Sequence, residues 1–216
     1  MMVALEARGF TLTYPGAVRP VFPPLSFQIE AGETVAVKGD SGAGKSSLLR
    51  SACGVVPGSL PARTRGELLL YGKPPAAYAR AELAGLAGMV FQSPETQLFC
   101  GTVELEAAFG LENLCLPRDE MRERVHEILE LVGMWDRRGA SPSTLSGGQK
   151  QLLALAAVLA PRPKFLLLDE TFSQLDAQAG ERMMDVLREL RRSGQTMLFA
   201  DHDDTRRAFA DREICL

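Results

Sequence analysis

Aromatic residues are scarce, at 6% of the 216 positions with a single tryptophan, Trp135. Basic residues are not in excess either, since 24 Lys and Arg face 27 Asp and Glu for a net charge of -3. A chain that neutralises nucleic-acid phosphates needs a basic surplus, so no nucleic-acid partner is expected. The four cysteines, Cys53, Cys100, Cys115 and Cys215, are scattered without a CxxC spacing. That argues against a disulfide framework or a zinc site, and the expectation is reduced, mostly packed thiols in a cytosolic protein. A long apolar run is also missing. The longest, residues 152–160, falls short of the roughly 18 residues a spanning helix needs. The first ten residues carry Glu6 and Arg8 and lack the apolar core of a signal peptide. A membrane role is therefore expected to be exercised from the surface, through separate membrane partners.

What is present is a 46% hydrophobic chain, enough to bury a core as one domain over residues 1–216. Residues 3–14 are rich in Thr and aromatics, and Leu25, Phe27 and Ile29 alternate with polar neighbours, as half-buried strands do. Residues 34–38 form a short β-branched run followed at once by glycines, and residues 67–71 and 88–91 read as further strands. In the middle, Met121, Val125, Ile128, Leu129 and Val132 recur at helical spacing after Pro117, with Arg122, Glu123, Glu127 and Glu130 on a solvated face and Gly133 as the stop. A second helix is expected from about Ser146 to Ala160, halted by Pro161 and Pro163. Phe165-Leu166-Leu167-Leu168 suits a strand covered on both faces. A helix over residues 177–192, a strand over 196–200, a short helix and a last strand over 213–216 complete the pattern. The expected fold is α/β: a mainly parallel sheet with flanking helices, an N-terminal antiparallel part and an inserted helical lobe.

The chemistry is concentrated at Gly39-Asp40-Ser41-Gly42-Ala43-Gly44-Lys45-Ser46. Gly39, Gly42 and Gly44 allow a tight turn whose N–H groups approach phosphate oxygens, and a helix beginning at Lys45 adds its positive end. Lys45 supplies charge for β- and γ-phosphates, and the Ser46 hydroxyl is suited to magnesium. Asp169 and Glu170 stand where the apolar strand ends, the first placed to hold magnesium and the second to polarise an attacking water. His202 follows the strand over 196–200 and falls at the sheet's carboxyl edge, where α/β folds bind ligands. His126, inside the amphipathic helix, is assigned no role.

A second glycine motif, Leu145-Ser146-Gly147-Gly148-Gln149, would in isolation read as a helix N-cap. With the rest of the chain it resembles the signature sequence of ATP-binding cassette (ABC) ATPases. The loop 39–46 is similar to their Walker A, residues 165–170 to Walker B with its glutamate, Gln92 to the Q-loop, and Ser173-Gln174-Leu175-Asp176 to the D-loop. His202 matches the switch histidine and Tyr14 the aromatic that stacks on adenine. The resemblance implies a P-loop NTPase of ABC type with a RecA-like sheet and a helical subdomain inserted over about residues 93–160. It implies ATP and Mg2+ as ligands, with Ser46, Gln92 and Asp169 toward the metal. Glu170, Gln92 and His202 are then catalytic, while Tyr14, residues 39–46, Ser47, Ser146, Gly147, Gly148, Gln149 and Asp176 bind nucleotide. It further implies two cassettes packed head to tail, the signature of one on the γ-phosphate held by Lys45 of the other, at the cytoplasmic face of the membrane.

Residues 90–99, with Thr102-Val103-Glu104, Ala108-Phe109-Gly110 and Thr13-Tyr14-Pro15-Gly16, look most like the energy-coupling factor and cobalt-type importers, which take up vitamins or metal ions. Leu98, Phe99 and Val103 are then either an apolar docking groove for a membrane subunit or core of the helical lobe. Thr171, Phe172, Gln174 and Asp201 depart from the family pattern; a proline is usual at 171 and a small hydroxyl residue at 201. A chain ending at Leu216 also lacks the further C-terminal segment of many such relatives, so a stable dimer without nucleotide is less expected, unless the natural chain is longer or pairs with a different cassette. The alternatives are a soluble non-transport ABC ATPase and a regulatory cassette that binds ATP without hydrolysing it.

Overall fold

The computed structural model describes residues 2–173 and 175–216, so Gln174 lies outside the described residues. The chain divides into two compact units: Met1–Met89 with Lys164–Asp169 and Gly194–Leu216, and Val90–Pro163 with Glu170–Ser193.

The first unit contains an antiparallel sheet of β1 (Val3–Thr13), β2 (Leu25–Glu30) and β4 (Arg63–Leu70), in the order β2-β1-β4. Sequence reading starts the last of these near Gly66. The strand begins earlier because Arg63, Thr64 and Arg65, polar and exposed, still pair through their backbones with Thr13, Leu12 and Thr11. The larger sheet has the order β5-β6-β7-β3-β8, built from β3 (Thr34–Lys38), β5 (Ala87–Val90), β6 (Phe165–Asp169), β7 (Thr196–Ala200) and β8 (Arg212–Cys215). β3, β6, β7 and β8 run parallel. Every residue of β6 and β7 is buried, as their continuous apolar runs require when both sheet faces are covered. Val37 pairs with Ala200, and Ala200 with Asp169. The segments leaving β3, β6 and β7 therefore emerge at one edge of the sheet. Helix α1 (Lys45–Ala52) follows β3 and packs on β6 and β7; the short helices α2 (Val55–Gly58), α3 (Arg80–Leu86) and α8 (Asp204–Arg207) complete the unit.

The second unit is helical: α4 (Val103–Asn113), α5 (Arg118–Leu131), α6 (Gly147–Leu159) and α7 (Ala177–Arg192). α6 is buried almost continuously from Gln151 onward and packs against α4, α5 and α7. A helix apolar all round occupies the middle of its layer for that reason. α5 buries Val125, Ile128 and Leu129 and exposes Arg122, Glu123, Glu127 and Glu130, and Gly133 ends the run at φ +74°.

The cysteines correct one expectation. Cys115 and Cys215 are exposed, and Cys53 and Cys100 only partly covered at the residue level. Cys215 lies on the edge strand β8, and Cys115 in the turn after α4 at φ +53°. The Cys53 thiol is pushed up to about 11 by burial, an unreactive group.

Candidate functional site: a phosphate loop and a capped signature helix

In the first unit the glycine loop leaves β3 and turns into α1. Gly44 is the N-cap at φ +100°, and no side chain caps the helix, which leaves its first N–H groups for an anion. A Cβ at Gly44 would stand 2.5 Å from Val21 Cγ1 and 2.8 Å from Phe22 Cδ1, so both conformation and space demand glycine. Lys45 is 4% exposed. Its Nζ donates to the carbonyls of Gly39 (3.0 Å) and Asp40 (3.2 Å) and lies 3.4 Å from His202 Nε2. Ser46 Oγ donates to Asp169 Oδ1 at 2.7 Å, with Asp169 1% exposed at the end of β6. A hydroxyl and a carboxylate in contact are hard oxygen donors, the set that suits Mg2+, a cation that takes its other ligands from phosphate and water. Tyr14, at the end of the β1 segment, donates its hydroxyl to Ser47 Oγ (3.1 Å), which ties the predicted adenine platform to the first turn of α1.

In the second unit Gln92 Nε2 donates to Glu170 Oε2 at 3.0 Å. Glu170 has φ +47°, a left-handed conformation that a side-chain-bearing residue rarely adopts. The turn is held from below: the Glu170 carbonyl accepts from Ser173 N (3.2 Å) and Ser173 Oγ (2.9 Å). Phe172 is buried at 8% exposure, so its departure from the pattern is absorbed as packing. Thr171 is 2% exposed and its Oγ1 has no hydrogen-bond partner among the described residues. Leaving such a hydroxyl unpaired costs about 1–3 kcal/mol. Thr171→Val is expected to keep the shape, remove that cost and raise the melting temperature by roughly 2–4 °C; an unchanged or lower Tm in calorimetry would show the hydroxyl to be satisfied.

Ser146 caps α6 in a reciprocal box: Gln149 N donates to Ser146 Oγ (3.3 Å), and Ser146 N donates to Gln149 Oε1 (3.1 Å). The Ser146 hydroxyl keeps its own proton to donate outward. Asp176 caps α7 by accepting from Ala179 N at 2.8 Å. The two helix starts touch at Gly148, where a Cβ would stand 2.6 Å from Ala179 Cβ.

Two buried polar residues were not found from sequence. Gln151, 1% exposed on α6, donates to the carbonyl of Phe91 (2.9 Å) and so braces the chain entering Gln92. Glu106, 3% exposed on α4, accepts from Phe99 N (2.9 Å) and Cys100 N (2.7 Å). The one available signal was a polar side chain interrupting an apolar helical face. Val103 is fully buried and is core; Leu98 is partly covered, and Phe99 is 66% exposed.

Among known proteins, a family model described as ABC transporter matches residues 22–173. A putative ABC transporter ATP-binding protein of Methanosarcina mazei is 38% identical over 214 residues, covering 98% of this chain and 37% of the relative. The chain thus spans little more than a third of the length of that relative. Its fold is similar to that of cbiO1 from Clostridium perfringens, part of the ABC transporter complex cbiONQ, with TM-score 0.84, 31% identity, and coverage of 100% of this chain and 85% of the other. It is similar also to the ATP-binding cassette MJ0796, a dimer solved bound to ADP and Pi, with TM-score 0.85, 26% identity and coverage of 98% and 94%. The chain belongs to the ABC transporter family.

Proposed function

We propose that this cassette is the motor of an importer for a vitamin or a transition-metal ion, working at the cytoplasmic face of the membrane through separate membrane subunits. The observation that carries the reading is an apolar patch on the second unit. Phe99, Leu105 and Phe109 are 66%, 50% and 40% exposed, and the rings of Phe99 and Phe109 meet edge to face at 4.7 Å. The Phe99 loop is pinned to Glu106 by two short hydrogen bonds. A rigid, exposed aromatic pair is the kind of surface that marks a partner. Among the described residues no helix is long and apolar enough to cross a membrane. The likeness to cbiO1, itself part of a transporter complex, supports the same assignment.

In this reading Lys45 and the amides of residues 39–47 take the β- and γ-phosphates, and Tyr14 stacks on the base. Ser46, Asp169 and Gln92 are the residues that would hold Mg2+, whose chemistry there is neutralisation of phosphate charge. Glu170 polarises the attacking water and His202 contacts the γ-phosphate. Ser146, Gly147, Gly148, Gln149 and Asp176 face the nucleotide of a second cassette, packed head to tail, so that ATP favours the closed pair by its differential affinity.

Phe99→Glu tests the docking surface. The expected result is a roughly tenfold or greater loss of membrane-subunit capture in a pull-down, with ATP turnover of the cassette itself unchanged. Undiminished capture by a folded variant would remove the patch from the interface.

A further inference from the structure

His202 is exposed, with its Nε2 3.4 Å from Lys45 Nζ. Its neighbours are fixed on both sides. Asp201 follows β7 directly and is 7% exposed. Its Oδ1 accepts from Asp203 N at 2.8 Å, closing a tight turn around His202. Its Oδ2 lies 3.3 Å from Arg206 Nε, and Arg206 Nη2 donates to Asp203 Oδ2 at 2.9 Å. One guanidinium thereby stands between the two carboxylates that flank the histidine, ion-paired with Asp201 and hydrogen-bonded to Asp203. The main chain is held as well. The Asp201 carbonyl accepts from Arg207 Nη1 (3.1 Å), and Arg207, 8% exposed, donates through Nε to Glu213 Oε1 on β8 (3.0 Å).

We infer that Asp201 is a positioning residue for His202: with Arg206 and Asp203 it forms a clamp that sets the imidazole beside the Lys45 ammonium. A buried carboxylate is expensive unless it is paired and hydrogen-bonded, and Asp201 is both, through Arg206 and the Asp203 amide. The carboxylate adds reach to Arg206, and through Arg206 to the far side of the histidine. The inference rests on the reading of His202 as a γ-phosphate contact. An imidazole misplaced by about 1 Å in such a role costs up to about 100-fold in rate.

A double-mutant cycle tests it, on the full chain in its ATPase-active assembly, with turnover, nucleotide affinity and thermal melting measured for each variant. His202→Ala is expected to slow turnover strongly. Asp201→Asn, which keeps the turn hydrogen bond and removes the charge, is expected to slow it about 10- to 100-fold with nucleotide affinity little changed. In the His202→Ala background Asp201→Asn is expected to cost nothing further. Arg206→Gln breaks the same pair from its more exposed end and is expected to behave alike, which covers the case in which Asp201→Asn fails to fold. Equal losses from Asp201→Asn or Arg206→Gln in the presence and absence of His202, or no loss in either, would overturn the clamp while leaving His202 in its role. Unchanged turnover in His202→Ala alone would overturn the reading of the histidine and the clamp with it.

Discussion

Replacing Glu170 by Gln is expected to lower ATP turnover by about 10²–10⁴-fold while nucleotide still binds. The substitution is isosteric, so the left-handed turn at φ +47° and its support from Ser173 are untouched. What is lost is the negative charge that would draw a proton from the attacking water. The Gln92 amide, which donates to Glu170 Oε2 at 3.0 Å, finds the carbonyl of the new side chain in the same place. With binding intact and hydrolysis stopped, ATP remains between two cassettes, and the expected species is an ATP-dependent dimer. Light scattering or sedimentation with and without ATP measures it, in the presence of a competent partner cassette. Turnover within threefold of the parent, or no change in mass with ATP, would assign Glu170 a structural turn and place the base elsewhere.

Lys45→Ala is expected to abolish measurable turnover and weaken ATP binding by roughly 10- to 100-fold, the equivalent of about 1.5–3 kcal/mol for a charge-assisted hydrogen bond. Lys45 is almost fully buried and its Nζ already bonds to two carbonyls of its own loop. The variant therefore loses both the phosphate contact and the brace that shapes the loop. Lys45→Arg is expected not to rescue, because a planar fork does not fit where a compact ammonium meets converging carbonyls. Titration with a fluorescent nucleotide separates the affinity loss from the rate loss. Unaltered affinity in Lys45→Ala would mean that the loop amides and the helix end bind the phosphates without it.

Much of this site was legible because glycine and apolar runs are strict signals. Gly44 could be read because its φ of +100° and the closeness of Val21 admit no other residue. The strands ending at Asp169 and Ala200 could be read because burial on two faces keeps residues 165–168 and 197–200 apolar throughout. Helix α5 could be read through its one apolar face, Val125, Ile128 and Leu129. The unread parts share a different physics. Arg63, Thr64 and Arg65 extend β4 by backbone pairing alone, which leaves no trace in side-chain pattern. Glu106, Gln151 and Arg206 act through the backbone of residues 99–100, the Phe91 carbonyl and the carboxylates beside His202, partners that no periodicity of their own helices marks. A polar residue on an apolar face looks the same in sequence whether it is satisfied, strained or structural. Helix α7, remote in sequence, packs on α6 and joins its compact unit.

The contact at Gly148 has a mechanical meaning. The signature helix and the helix after the D-loop meet there with no side chain between them, Ala179 filling the only space a Cβ could take. Each start is locked internally, one by the Ser146–Gln149 box and the other by Asp176. Two stiff rods joined at a point without slack behave as one lever. In the head-to-tail pairing proposed above, a shift at either motif is expected to reach the other through that contact.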